Sequence, residues 1–155
     1  MKISLPKKTI TLEQVKQYNK KVLTDNFEKE GILAKILVFV KMNEPVSNDE
    51  LRNLLYDYYS VEFDKNKIKD CTKRLAELGM LNSITSGDLM ATSASERNEM
   101  LEIAYKKFFE YLEHIPKQFK KNYNRVNYYW IPNGQGNEYV EWACKILGFG
   151  VENDK

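Results

Sequence analysis

The feature that most constrains this chain is a nearly unbroken apolar stretch with helical spacing. It reads ILAKILVFV over residues 32–40. Its large side chains recur at intervals of three and four residues, at Ile32, Leu33, Ile36, Leu37 and Val40. A helix that is apolar on nearly all sides must be enclosed by other elements. We therefore predict a central, buried helix from about Asn26 to Met42, which ends before Pro45.

The composition is that of an ordinary globular protein. Its 155 residues are 43% hydrophobic and 30% charged, which indicates one domain, with or without appendages. The longest run of apolar residues, Ile36–Val40, is much shorter than the roughly 18 residues of a membrane span. The first residues lack the apolar segment of a signal peptide. We expect a cytoplasmic protein that has no contact with a membrane.

Capping motifs divide the first half of the chain into helices. Thr11-Leu-Glu-Gln14 predicts the start of a helix in an N-terminal extension, and Ser47-Asn-Asp-Glu50 predicts the start of another helix. Asp64 is the expected N-cap of a basic helix, Asp64–Leu78, and Gly79 is the expected residue after its C-terminus.

The residues after the basic helix predict a hairpin and then a long helix. Met80–Ile84 and Leu89–Ala91 read as two short strands, joined by a turn at Thr85–Asp88. Ser93-Ala-Ser-Glu96 is a further capping box, and it predicts a long helix that ends before Pro116.

This succession resembles the winged helix-turn-helix domains of the MarR, PadR and ArsR type. The resemblance rests on the run VSNDELRNLL…KNKIKDCTKRLAELGMLNSI…MATSASERNEML. In that family the third helix enters the DNA major groove, and its end has a pattern that Arg74–Leu81 matches. A hairpin wing and the start of the next helix follow, the latter loosely matched by Ala91–Arg97.

The resemblance implies a mainly α fold with a small β-hairpin wing and flanking helices. It divides the chain into an N-terminal helical extension (1–29), a winged helix-turn-helix (30–94), a long dimerisation helix (95–116), and a basic, aromatic C-terminal segment with a final helix, Glu138–Leu147 (117–155).

The basic helix has an apolar side and a polar side. Ile68, Cys71, Thr72, Leu75 and Leu78 fall on the side expected to face the core. Lysine can contact phosphate or guanine, asparagine can pair with adenine, and a carboxylate can accept from cytosine N4. The resemblance therefore implies that double-stranded DNA is bound by Lys65, Asn66, Lys67, Lys69, Asp70 and Lys73. The alternative is a solvated surface helix of mixed charge. The predicted wing, residues 80–94, contains no Lys or Arg to hold phosphate.

The long helix carries a wide apolar stripe, which needs more than one covering surface. The stripe consists of Leu101, Ala104, Phe108, Tyr111 and Ile115. In the resembled families a second subunit covers this helix, which implies a homodimer. Alternatively, the N- and C-terminal segments of the same chain cover it.

Basic and aromatic residues alternate near the C-terminus. Cations can follow a nucleic-acid backbone while rings stack on bases, but such rings more often belong to a core or a protein interface. The candidate residues for a partner or nucleic-acid surface are Lys120, Lys121, Arg125, Tyr128, Tyr129 and Trp130.

Catalysis and metal binding find little support. The single histidine, His114, lies at a predicted helix end, and the two cysteines, Cys71 and Cys144, have no ligand spacing. We therefore expect neither an enzyme nor a cofactor.

Two functions remain: a homodimeric, DNA-binding transcriptional regulator, or a winged-helix module that docks a protein partner through its aromatic C-terminal region. Such a module would serve replication or transcription machinery, or act as a phage or plasmid accessory factor.

Overall fold

Six helices and five short strands make up the part of the chain that the structure, a computed structural model, describes: residues 1–5, 30–60, 62–114 and 126–152. The helices are α1 (Glu30–Asn43), α2 (Asn48–Tyr59), α3 (Lys65–Glu77), α4 (Ser86–Ala91), α5 (Glu99–Glu113) and α6 (Gln135–Leu147). The strands are β1 (Lys2–Ser4), β2 (Val46–Ser47), β3 (Asn82–Thr85), β4 (Asn127–Trp130) and β5 (Gly150–Glu152). The chain is mainly helical, with two small antiparallel sheets.

The predicted central helix is confirmed. Residues Ile36–Val40 of α1 are each at most 3% exposed. Around α1 pack α2, α3 and α6, and the buried residues of all four helices form one apolar cluster. The predicted start of this helix, Asn26, lies outside the described residues, as does the predicted Thr11 capping box.

The predicted boundaries of α2 and α3 are confirmed as well. The Ser47 hydroxyl accepts a hydrogen bond from the backbone N–H of Glu50 at 3.2 Å, and Glu50 Oε1 accepts from the backbone N–H of Ser47 at 3.5 Å. Asp64 caps α3, and Gly79 follows the helix with a φ of +76°, a conformation that glycine adopts without strain.

The larger sheet has three strands in the order β2-β4-β3. Strand β4 is therefore paired on both sides, with Tyr128 opposite Ser47 and Ile84, and Tyr129 opposite Val46 and Ser83. The smaller sheet pairs β1 with β5. Both sheets thus join segments that are distant in sequence.

The predicted hairpin is wrong in its second strand. Leu89–Ala91 belongs to the short helix α4, because the Thr85 hydroxyl accepts from the backbone N–H of Asp88 at 3.1 Å and caps a helix there. The strand that pairs with β3 is β4, which follows only after α5. Residues 86–126 therefore lie, in sequence, between two strands that pair with each other.

The long helix begins later than predicted. Ser93 and Glu96 form a local turn, in which the Ser93 hydroxyl donates to Glu96 Oε1 at 2.9 Å. The actual N-cap of α5 is Asn98, whose side chain accepts from the backbone N–H of Leu101 at 2.9 Å. His114 is the C-cap, as expected for a residue at the helix end.

Helix α6 begins at Gln135, three residues before the predicted start at Glu138. None of the described helices is long and apolar enough to cross a bilayer.

Two leucines on α3 provide a test of the helix register. Leu75 is fully buried, whereas Leu78, which the sequence placed on the buried side, is 53% exposed. We expect Leu75→Ala to lower the free energy of unfolding by about 2–5 kcal/mol, because it removes packed methyl groups and leaves a cavity. Leu78→Ala, the matched control, should change it by less than about 0.5 kcal/mol. Chemical denaturation of both variants measures this, and equal losses would refute the register.

Candidate nucleic-acid interface

Helix α3 separates its buried and exposed sides as the sequence predicted. Ile68, Cys71, Thr72 and Leu75 are buried. On the other side, Lys67 is half-buried, and the remaining candidate residues are exposed: Lys65, Asn66, Lys69, Asp70 and Lys73. The six candidate residues therefore lie on one helix, away from the core.

A buried hydrogen bond fixes α3 against α2. The Thr72 hydroxyl donates to Asn48 Oδ1 at 2.8 Å, and it also lies 3.0 Å from the carbonyl oxygen of Lys69, a residue on its own helix. Thr72 is fully buried and Asn48 is half-buried, so the bond is partly shielded from water. The exposed side of α3 is thus held by a rigid pair of helices.

The N-terminus of α3 is occupied by its own cap. Asp64 Oδ1 accepts hydrogen bonds from the backbone N–H groups of Asn66 at 2.8 Å and Lys67 at 3.1 Å. The sequence suggested that the helix dipole would assist phosphate contacts here, but the Asp64 carboxylate already meets these donors. Any phosphate near this end would be bound by the lysine side chains instead of the backbone.

The middle of α3 carries a mixture of charges. Lys69 and Lys73 are one helical turn apart, and neither forms an ion pair with another described residue. A shallow depression of about 230 Å³ lies beside them, lined by Asp70, Lys73, Arg74 and Glu77. Neither ammonium group is therefore neutralised by a described carboxylate, and the nearby Asp70 and Glu77 would repel an approaching phosphate.

The surface that follows α3 carries no basic residue and is partly apolar. Asn82, Ser83 and Thr85 of β3 are exposed, and Met90 of α4 is 50% exposed. None of residues 80–94 is basic. If α3 enters a DNA groove, this neighbouring surface supplies no cation to the flanking phosphates.

Two residues assigned to the C-terminal partner or nucleic-acid surface, Tyr128 and Tyr129, do not lie on the surface. Tyr128 and Tyr129 are only 2% and 3% exposed. They are buried because β4 is the middle strand, with a neighbour on each side. Trp130 is half-buried, and Lys120, Lys121 and Arg125 lie outside the described residues.

The apolar stripe of α5 is largely covered by its own chain. Ala104 and Phe108 are buried in a second apolar cluster with Leu89 of α4 and Tyr128 of β4. The assignment of Ala104 and Phe108 to a dimer interface is therefore corrected, since α4 and β4 already occupy their surroundings. Leu101 is half-buried, Tyr111 is 37% exposed, and Ile115 lies outside the described residues.

A different part of α5 remains open. Phe109 is 40% exposed and its ring centroid lies 4.6 Å from that of Tyr105, over which the Arg97 guanidinium lies at 3.9 Å. Ile103 on the same helix is 38% exposed. The sequence pointed to the stripe that contains Phe108, because its three- and four-residue spacing is more regular. The positions of α4 and β4 show that this stripe is covered and that Phe109 is exposed.

Catalytic and metal-binding groups do not converge in the described part of the chain. No group of three His, Cys, Asp or Glu side chains there could hold a metal ion. His114 is exposed at the end of α5, whereas Cys71 and Cys144 are buried in the core. Burial raises the pKa of the Cys71 thiol to about 11, against a weaker opposing effect of Lys67.

Comparison with protein-family models, with curated proteins and with solved structures finds no match for this chain. The candidate interface therefore rests on its residues and their geometry.

The raised pKa of Cys71 predicts an unreactive thiol. The thiolate is the reactive form, so at pH 8 a disulfide reagent should label the folded protein at least about tenfold more slowly than the protein in denaturant. The thiol has its ordinary pKa of 9.0 in the unfolded chain and a pKa of about 11 in the folded one. Stability from this group is therefore present below pH 9 and decreases as the pH rises to 11. A Cys144→Ala variant isolates Cys71 in the measurement. Equal labelling rates in both states would contradict its burial.

Proposed function

We propose that this protein is a cytoplasmic, DNA-binding transcriptional regulator, in which a winged helix-turn-helix domain reads duplex DNA through α3 as a homodimer. The observation that carries the proposal is the free, exposed side of α3. It presents Lys69 and Lys73, whose ammonium groups form no ion pair with a described residue, while the opposite side of the same helix is fixed in the core.

The order of elements supports the winged-helix part of the proposal. Helices α1, α2 and α3 are followed by β3 and its antiparallel partner β4, with α3 ending at a glycine before β3. The resemblance to the MarR, PadR and ArsR type rests on three such helices followed by a hairpin, and β4 takes the place of the predicted second strand. The insertion of α4 and α5 between the strands is a departure from a simple hairpin wing.

The chemistry of α3 suits the major groove. An α-helix with its side chains is about 10–12 Å wide, close to the roughly 12 Å width of that groove. Asn66 can pair with adenine, and Lys69 and Lys73 can bind guanine or phosphate. Asp70 lies between them, and it would repel phosphate but accept a hydrogen bond from cytosine N4. This mixture favours sequence-dependent binding over general affinity for polyanions.

Charge reversal on α3 tests the DNA contact. We expect Lys69→Glu with Lys73→Glu to weaken DNA binding steeply, because favourable contacts become repulsive. Each lost phosphate contact should also reduce the slope of log affinity against log salt by about 0.9. Fluorescence anisotropy with duplex DNA over a salt series measures both quantities.

The matched control reverses two exposed lysines elsewhere, Lys106 on α5 and Lys145 on α6. It changes the net charge equally, so a general electrostatic effect would appear in both variants. Thermal melting should be nearly unchanged in each, because exposed substitutions usually alter stability by less than about 0.5 kcal/mol. Wild-type affinity and slope in the α3 variant would remove this helix from the interface.

The homodimer part of the proposal rests on the open apolar surface of α5. Two copies of α5 related by a twofold axis would cover Phe109, and a twofold protein reads a palindromic site. Tyr105 lies beside Phe109 and widens this surface. The interface proposed here is therefore displaced from Phe108 towards Phe109.

Adjacent phenylalanines distinguish assembly from folding. We expect Phe109→Asp to give a folded monomer, since Phe109 is 40% exposed, and Phe108→Asp to unfold the chain, since Phe108 is 1% exposed. Light scattering and circular dichroism measure the two outcomes. Tyr56→Asp, at an exposed aromatic residue of α2, should leave the dimer intact. A wild-type protein that is monomeric at micromolar concentration would end this part of the proposal.

A protein-interaction module is the second candidate function. It is favoured by the surface formed by β3 and α4, where Met90 is exposed and no basic residue occurs in the sequence. The same surface would be poor at holding phosphate. In this case α3 would be a solvated helix, and the charge-reversal variants would bind DNA no differently from the wild type.

A further inference from the structure

A cleft of about 440 Å³ lies between the first turn of α2, the last turns of α5 and strand β4. Tyr128 lines it as a buried residue, and Tyr111 and Val126 contribute an aromatic ring and an aliphatic side chain. Its volume falls within the roughly 300–1,000 Å³ of pockets that bind small molecules. None of the residues that line it belongs to α3, so it is separate from the candidate DNA interface.

Uncompensated negative charge collects at this cleft. Glu50 is neutralised, since its Oε2 lies 3.0 Å from Lys107 Nζ, which also donates to the carbonyl oxygen of Pro45 at 2.5 Å. Asp49 and Glu110 also line the cleft, and neither forms a hydrogen bond or ion pair with another described residue. Among the described residues, the cleft therefore has two free carboxylates and one lysine, which is already used.

The end of α5 adds to this negative potential. The C-terminal end of a helix carries the negative end of its dipole and favours basic residues. The last turn of α5 has none, and it carries Glu110 and Glu113 instead. A positive charge at this place would stabilise both the dipole and the carboxylates.

An unused hydroxyl group points to a ligand independently of the charges. Tyr128 is 2% exposed, and its hydroxyl forms no hydrogen bond with a described residue. Burial first, and then Glu50 and Tyr111, raise the pKa of this phenol, so it stays neutral at physiological pH. Buried hydroxyl groups normally have a partner, and this one lines a cleft that could admit one.

We propose that this cleft binds an organic cation, namely an ammonium or guanidinium group on a short apolar arm. Asp49 and Glu110 supply the opposite charge, and the Tyr128 hydroxyl oxygen accepts a hydrogen bond from the cation. The apolar arm packs against Tyr111 and Val126. An inorganic cation fits less well, because the cleft is partly apolar and its described residues form no cluster of ligands for a metal.

Titration calorimetry on the full chain tests the proposal with n-butylguanidinium as the probe. Sodium butyrate and n-butanol, of similar length, serve as the anionic and neutral comparisons at constant ionic strength. We expect saturable binding at one site for the guanidinium alone. Equal heats from all three compounds, or none from the guanidinium, would overturn the proposal.

Variants locate the binding site. Asp49→Asn with Glu110→Gln should weaken binding by about tenfold or more, since hydrogen bonds to charged groups are lost. Tyr128→Phe should weaken it by about tenfold or more, since a hydrogen bond from the charged group is lost. The matched control, Asp57→Asn with Glu141→Gln, removes two exposed carboxylates that do not line the cleft and should bind as the wild type. Unchanged affinity in the folded double variant would overturn the proposal, whether or not Tyr128→Phe folds.

A last pair of measurements identifies the source of the cation. His114 and Val126 line the cleft, and the sequence between them contains Lys117, Lys120, Lys121 and Arg125. If replacing these four residues by glutamine makes binding appear or strengthens it about tenfold, the chain's own cation fills the cleft, and the proposal fails. Equal affinity of this variant and the wild type for n-butylguanidinium supports an external ligand.

A peptide distinguishes two kinds of external ligand. If an end-capped Gly-Arg-Gly peptide binds more tightly than n-butylguanidinium, the ligand is assigned to a protein side chain. Weaker binding of the peptide assigns it to a free small molecule.

Discussion

The enclosure of α1 is the constraint on which the rest of the structure depends. Burying a large apolar side chain stabilises a fold by about 1.5–3 kcal/mol, and α1 buries such residues on every side. The enclosing helices come from both halves of the chain, since α6 packs on α1 beside α2 and α3. Val140, Ala143 and Cys144 of α6 belong to the same cluster. The core therefore continues well beyond residue 94, and the basic helix is held by a scaffold that includes the C-terminal helix.

Polar contacts around Pro45 attach the inserted segment to this core. Glu44 Oε2 accepts from the backbone N–H of Ile131 at 2.8 Å, just after β4, and Lys107 of α5 donates to the carbonyl oxygen of Pro45 and to Glu50. Because these bonds connect α5 and β4 to the corner between α1 and α2, the insertion has a fixed orientation. Its inner side is closed by Leu89 and Tyr128, which leaves Phe109 as the open position.

The sequence predicted what is decided locally and failed where distant segments decide. The Ser47 capping box, the Asp64 cap and Gly79 were right, because each depends on residues within one helical turn. The strand at Leu89–Ala91 was wrong, because a three-residue apolar stretch does not reveal that β3 pairs with β4 and not with its neighbour. The same pairing buries Tyr128 and Tyr129, which looked like surface residues beside a basic stretch. The cleft could not be predicted, because Asp49, Glu110 and Tyr128 meet only through tertiary structure.

The two proposed sites are connected through the first turn of α2. Asn48 accepts the buried hydrogen bond from Thr72 of α3, and its neighbours Ser47, Asp49 and Glu50 line the cleft. A cation that shifts this turn would therefore act on the contact that orients α3, while one that leaves it in place would not affect DNA binding. If the shift occurs, reciprocity requires that DNA change the affinity for the cation by the same factor as the cation changes the affinity for DNA. The Thr72–Asn48 bond is thus the structural element through which a cation in the cleft would act on the helix.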